Sequence, residues 1–137
     1  MSTLVERCTR YTRIDRTDSK EALEVTGALC GLFGQLPPSA RLSLTLDNGK
    51  EFARHEKIAS VAEIDVFFAR PYHSWERGTN EHTNGLIRRL HPKQSPFAEI
   101  GEEELKRIEM FLNDRPRKCL GWMTPREKMA AFLGYPP

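Results

Sequence analysis

Between residues 42 and 68 the chain carries a strand–helix–strand pattern that leaves few folds open. Leu42, Leu44 and Leu46 alternate with Ser43 and Thr45, the two-residue period of a strand. Asp47-Asn48-Gly49 ends that strand as a turn. Phe52, Ile58, Ala59 and Ala62 then mark a helix over 52–62, and Ile64–Phe68 reads as a second strand, apolar enough to be largely buried. A strand, a helix and a strand in immediate succession predict a parallel α/β unit.

The flanking segments extend that unit. Leu4–Cys8 and Tyr11–Asp15 read as two short antiparallel strands separated by Thr9-Arg10. Asp18-Ser19 followed by Glu21 is a helix-start signal, and Ala22, Val25, Leu29, Leu32 and Phe33 give the helical period that follows. Gly34 and Pro37-Pro38 end it. Residues 69–79 form a loop, 80–90 a helix stopped by Pro92, and 102–113 a helix with Leu105, Ile108 and Leu112 facing a core. A last helix opens at Thr124-Pro125, runs to about Leu133 and stops at Gly134. The pattern predicts one α/β domain over 1–137, with a helical C-terminal part at about 102–133.

Composition narrows the functional classes. The 137 residues are 29% charged and 39% hydrophobic, with 21 Lys+Arg against 19 Asp+Glu. A net charge of +2 excludes a histone-like polycation and leaves local basic patches as the only electrostatic sign of nucleic acid. No apolar run approaches the roughly 18 residues of a membrane span, and the first residues lack a signal-peptide core. Cys8, Cys30 and Cys119 are odd in number and widely spaced, so they read as reduced thiols of a cytoplasmic protein. The spacings of His55, His73, His82 and His91 match no zinc pattern.

Two acids stand out by position. Asp47 closes a strand at the edge where open parallel sheets bind ligands. Glu81 falls near the first turn of a helix after a polar loop. Two such carboxylates could share a hard cation such as Mg²⁺. Each also has an ordinary reading: Asp-Asn-Gly is a common turn, and a glutamate at a helix start complements the macrodipole.

The strings TLDNGKEFARH, PYHSWERGTNEHTNGLIRRLHPK and LNDRPRKCLGWMTPREK resemble transposases of the insertion-sequence-thirty family, in order and over most of residues 3–128. These belong to the DDE superfamily, with retroviral integrases and ribonuclease H. The resemblance keeps 33 residues between Asp47 and Glu81. It implies a ribonuclease-H-like mixed sheet with flanking helices, and metal-dependent DNA cleavage and strand transfer at a two-ion Mg²⁺ or Mn²⁺ site. Asp47 and Glu81 match the second and third acids of the triad, as catalytic residues and metal ligands. Arg88, two helical turns beyond Glu81, matches a basic position that holds donor DNA.

The surroundings suit that partner. Arg70, Arg77, Arg88, Arg89 and Lys93 outnumber Glu76 and Glu81 between residues 69 and 93. Arg77, Asn84, Arg88, Arg89 and Lys93 are the candidate DNA contacts. Tyr72 and Trp75 offer flat faces for a displaced base, although Trp75 equally suits a packing anchor. Residues 106–128 hold seven Lys/Arg against three Asp/Glu, a phosphate-binding patch or a set of solvated helix ends.

There are two departures. His82 stands where the family usually has Asn. The first acid of the family triad lies upstream of the sequence resembling STLVERCTRY and has no counterpart in this chain. A core lacking its first, central strand and that acid is expected to be inactive alone. The expected partners are transposon-end and target DNA and either a second copy or a full-length transposase, in the bacterial cytoplasm at the nucleoid, with no membrane. The alternative reading is a non-catalytic DNA-binding or inhibitory remnant of a transposase.

Overall fold

The strand–helix–strand unit is present in the computed structural model, which describes residues 2–17, 21–46, 49–70, 78–91 and 100–135. Strand β1 is Ser2–Val5 and β2 is Thr12–Asp15; helix α1 is Ala22–Gly34, β3 Ser43–Leu46, α2 His55–Ala62 and β4 Asp65–Phe68. Helices α3 (Gly78–Leu90), α4 (Glu102–Asn113) and α5 (Pro125–Phe132) follow. The described residues cluster into two compact units, one drawn mainly from 15–78 and the other from 3–14 with 79–137.

In the first unit β3 and β4 pair in parallel, with Ser43 opposite Asp65 and Leu46 opposite Phe68. The period of two puts Leu44 and Leu46 inside and Ser43 and Thr45 outside. Ile58 and Ala62, one turn apart on α2, are buried, as are Val25, Leu29, Leu32 and Phe33 of α1. Thr26 is buried too, its hydroxyl donating to the Ala22 carbonyl at 2.6 Å.

Two expectations are corrected here. The helix predicted over 52–62 divides into a 3₁₀ turn at Lys50–Phe52 and α2. Ala53 N–H bonds three residues back to Lys50, and Arg54 leaves helical geometry at φ −100°, ψ 28°. Strand β4 is not largely buried: Ile64 just before it is covered, but Phe67 is 56% and Phe68 39% exposed. Its pairing among the described residues is to β3 alone, and Phe67 and Phe68, on opposite faces of the strand, are both exposed. The His55 and Phe68 rings meet edge to face, with centroids 4.8 Å apart at 88°, while His55 Nδ1 lies 3.2 Å from the Phe52 carbonyl oxygen.

In the second unit β1 and β2 pair with each other. The connection over residues 6–11 is too short for a parallel crossover, so the pair is antiparallel. Glu6 N–H donates to the Tyr11 carbonyl at 2.9 Å, closing the turn. The Glu6 carboxylate accepts from the backbone N–H groups of Cys8 and Thr9 and from the Thr9 hydroxyl. Leu105, Ile108 and Leu112 of α4 are buried on one stripe. Thr124 caps α5 in a capping box with Glu127, and Pro125 takes its first position. Among the described residues the strands form two ladders, β1–β2 and β3–β4.

Candidate active site

Helix α3 carries the described part of the site. Thr83 and Ile87, four residues apart, form its buried side, with Ile87 fully enclosed. The Thr83 hydroxyl satisfies itself on the Thr79 carbonyl at 3.0 Å. The Thr79 hydroxyl in turn accepts from the Arg10 guanidinium, tying the start of α3 to the β1–β2 turn.

That burial turns Glu81 outward. Its carboxylate is exposed in the first turn, and Arg88 and Arg89 lie in the last. A separation of seven residues is two turns, about 10 Å of rise, and leaves Glu81 and Arg88 on the same side of the helix. Asn84, one turn from Glu81, is half-buried; Arg88 is half-buried and engaged, and Arg89 is exposed. Acid at the N-terminal end and base at the C-terminal end also suit the helix dipole. Of the other predicted residues, Asp47, Arg77 and Lys93 lie outside the described residues, as do Tyr72 and Trp75.

Two features of α3 were not singled out from sequence. Gly85 lies one turn beyond Glu81, exposed in the helix interior, and a Cβ there would meet no heavy atom within 4 Å. Nothing in the fold therefore requires glycine, which costs about 0.8–1 kcal/mol relative to alanine in a helix. A bare patch of backbone beside an exposed carboxylate lets a ligand approach closely. Asn80 Oδ1, at the start of the same helix, is buried with no hydrogen-bond partner among the described residues. The glycine was open to notice, because Asn84-Gly85 interrupts a helical pattern. The buried oxygen had no local signal.

The exposed Glu81 carboxylate is a hard oxygen donor of the kind Mg²⁺ prefers. Among the described residues no group of three or more His, Cys, Asp or Glu could hold a metal ion. They supply one carboxylate of the predicted pair.

No protein-family model matches the chain. It is 46% identical over 131 residues to the transposase of insertion sequence element IS4351 from Bacteroides fragilis, 96% of this chain and 40% of that protein. It is 44% identical over 127 residues to transposase InsI of element IS30A from Escherichia coli K12, 93% of this chain and 33% of that protein. Against the IS1086 transposase of Cupriavidus metallidurans it is 36% identical over 133 residues, 97% of this chain and 39% of that protein. The chain is homologous to the IS30-family transposases. It spans two fifths or less of the length of these IS30 relatives.

Among solved structures it is similar to the catalytic core domain of BIV integrase, at a TM-score of 0.70 and 21% identity, over 96% of this chain and 84% of that one. The fold of this IS30 homologue is accordingly the ribonuclease-H-like α/β fold of an integrase core. Its antiparallel β1–β2 and parallel β3–β4 are the mixed pairings that the sequence predicted.

Proposed function

We propose that the chain is a transposase catalytic core, acting on DNA ends by metal-dependent cleavage and strand transfer, with Asp47 and Glu81 as metal-ligating catalytic carboxylates. The observation that carries this reading is 46% identity to a transposase over 131 of the 137 residues, a stretch that must include positions 47 and 81. The exposed carboxylate of Glu81, with Gly85 open beside it, supports the assignment. A bound divalent cation, Mg²⁺ or Mn²⁺, would activate an attacking hydroxyl and stabilise the leaving oxygen. Arg77, Asn84, Arg88, Arg89 and Lys93 contact the DNA backbone in this reading. Residues 1–137 act as one core, with transposon-end and target DNA as partners and a second copy or a longer transposase completing the assembly.

Fluorescence anisotropy on a labelled duplex carrying an insertion-sequence end, with and without Mn²⁺, tests the reading. The expected result is an affinity that falls steeply with salt and rises on adding Mn²⁺. The rise is absent in Asp47→Ala and in Glu81→Ala, while their metal-free affinity is retained. Equal affinity with and without Mn²⁺ in all three proteins overturns the catalytic reading in favour of a DNA-binding remnant. No salt-dependent binding overturns both.

A further inference from the structure

The second unit holds a groove of about 440 Å³ lined by Gly121, Trp122, Met123, Glu127, Ala131 and Tyr135. Its most unusual residue is Trp122. Gly121 and Trp122 both have positive φ, 64° and 67°, and Met123 N–H donates back to the Leu120 carbonyl at 3.3 Å. They are thus the two central residues of a tight turn whose φ values glycine and asparagine adopt without strain and a bulky aromatic does not. Burial does not compensate, since Trp122 is 68% exposed and Tyr135 64%. A strained backbone that holds an indole out in water points to something that the indole meets there.

Charge identifies the kind of occupant. The acids of this region are already engaged: Asp114 pairs with Arg126 at 2.5 Å, and the Glu127 carboxylate accepts from Thr124 N–H at 2.7 Å. Arg115, Lys118 and Lys128 are exposed and have no ion pair among the described residues, Arg115 lying over the Phe111 ring. The Arg117 guanidinium donates to the Leu112 carbonyl at 3.1 Å, and its Nε is buried without a hydrogen-bond partner among the described residues. Burial first, and the neighbouring Arg115 second, push the Arg117 guanidinium below its ordinary value. A second copy docking the same face would bring a like set of cations against these. A polyanion relieves them.

We propose that this groove receives unpaired bases of a single-stranded DNA segment, with Trp122 and Tyr135 stacking on the bases and Arg115, Lys118 and Lys128 meeting the phosphates. The inference rests on the DNA-acting reading above and adds a site to it. Stacking on aromatic rings tolerates any base, because every base has a flat face.

The test uses the 137-residue chain, a labelled single-stranded oligonucleotide, and an abasic strand of equal length that keeps the phosphates and lacks the rings. Trp122→Ala is expected to weaken oligonucleotide binding roughly tenfold or more. Trp122→Phe should restore most of that loss, and abasic-strand affinity should not change. In a Trp75→Phe background, oligonucleotide should quench the remaining Trp122 fluorescence. Because Trp122 is exposed, both variants should keep the circular dichroism of the parent. Equal oligonucleotide binding by the parent and Trp122→Ala overturns the inference. So does a Trp122→Ala effect confined to self-association in sedimentation, which would assign the groove to a second copy. If Mn²⁺-stimulated duplex binding persists in either case, the transposase-core reading stands and only the groove assignment falls.

Discussion

Asn113 and Thr12 exchange two hydrogen bonds: Thr12 N–H donates to Asn113 Oδ1 and Asn113 Nδ2 donates to the Thr12 carbonyl, both at 2.8 Å. A side-chain amide offers a donor and an acceptor in the arrangement of a peptide group, so the end of α4 acts on β2 as a further strand would. One turn earlier on α4, Glu109 Oε2 accepts Ile14 N–H at 2.8 Å. The edge of β2 is closed by two helix side chains, one way that proteins keep an exposed edge from recruiting another strand.

Asn113→Ala removes both partners of Thr12, in a place where both residues are only 1% exposed. Each orphaned backbone group costs about 1–3 kcal/mol, so urea denaturation should show a loss of about 2–6 kcal/mol. Glu109→Gln keeps an acceptor for Ile14 and gives up mainly the 3.4 Å pair with Arg13. That pair is partly exposed, and its loss should cost under about 1 kcal/mol. Equal effects from the two substitutions would show that the amide does not substitute for a strand.

Gly85→Ala separates folding from function. With open space around the position and no positive φ, alanine should raise stability by about 0.5–1 kcal/mol in thermal denaturation. The same methyl stands one turn from Glu81, where the proposed function brings DNA, so duplex affinity should fall. Higher stability with unchanged affinity would move the DNA away from this face of α3.

Glu6 makes part of the stability pH-dependent. Burial raises its carboxyl pKa, but hydrogen bonds from the Thr9 hydroxyl and from the Cys8 and Thr9 N–H groups, with Arg10 nearby, outweigh burial and leave it lowered. A carboxyl lowered on folding stabilises the native state above its unfolded pKa, and that contribution is lost as pH falls through the folded one. The stability difference between the parent and Glu6→Gln should therefore be full at pH 7 and shrink below the ordinary carboxylate range. A difference that is constant from pH 7 into that acidic range would contradict the assignment.

Much of this structure was legible residue by residue. The apolar steps of α4 and the Thr124-Pro125 start of α5 are local signals, and the helices begin where those signals lie. The outward position of Glu81 follows from the same periodicity, because Thr83 and Ile87 take the buried side. The exposure of Phe67 and Phe68 was not legible, since an apolar strand is buried only where other elements pack on the faces of its sheet. The pairing of Asn113 with Thr12 joins positions 101 residues apart, and no local pattern encodes it. The helix-start signal at Asp18-Ser19 and the acid at Asp47 lie outside the described residues. The weight on Asp47 comes from its spacing to Glu81 and from the IS30 relatives.

Direct Mn²⁺ binding, followed by isothermal titration calorimetry on the parent chain, Asp47→Ala, Glu81→Ala and the double variant, bears most closely on the pairing of the two carboxylates. If they hold one site, each single substitution should weaken Mn²⁺ binding at least tenfold, and the double variant should bind little worse than either. Such non-additivity is the signature of groups acting together. Parent-like binding in either single variant, or independent losses that simply add in the double, would contradict a shared metal site.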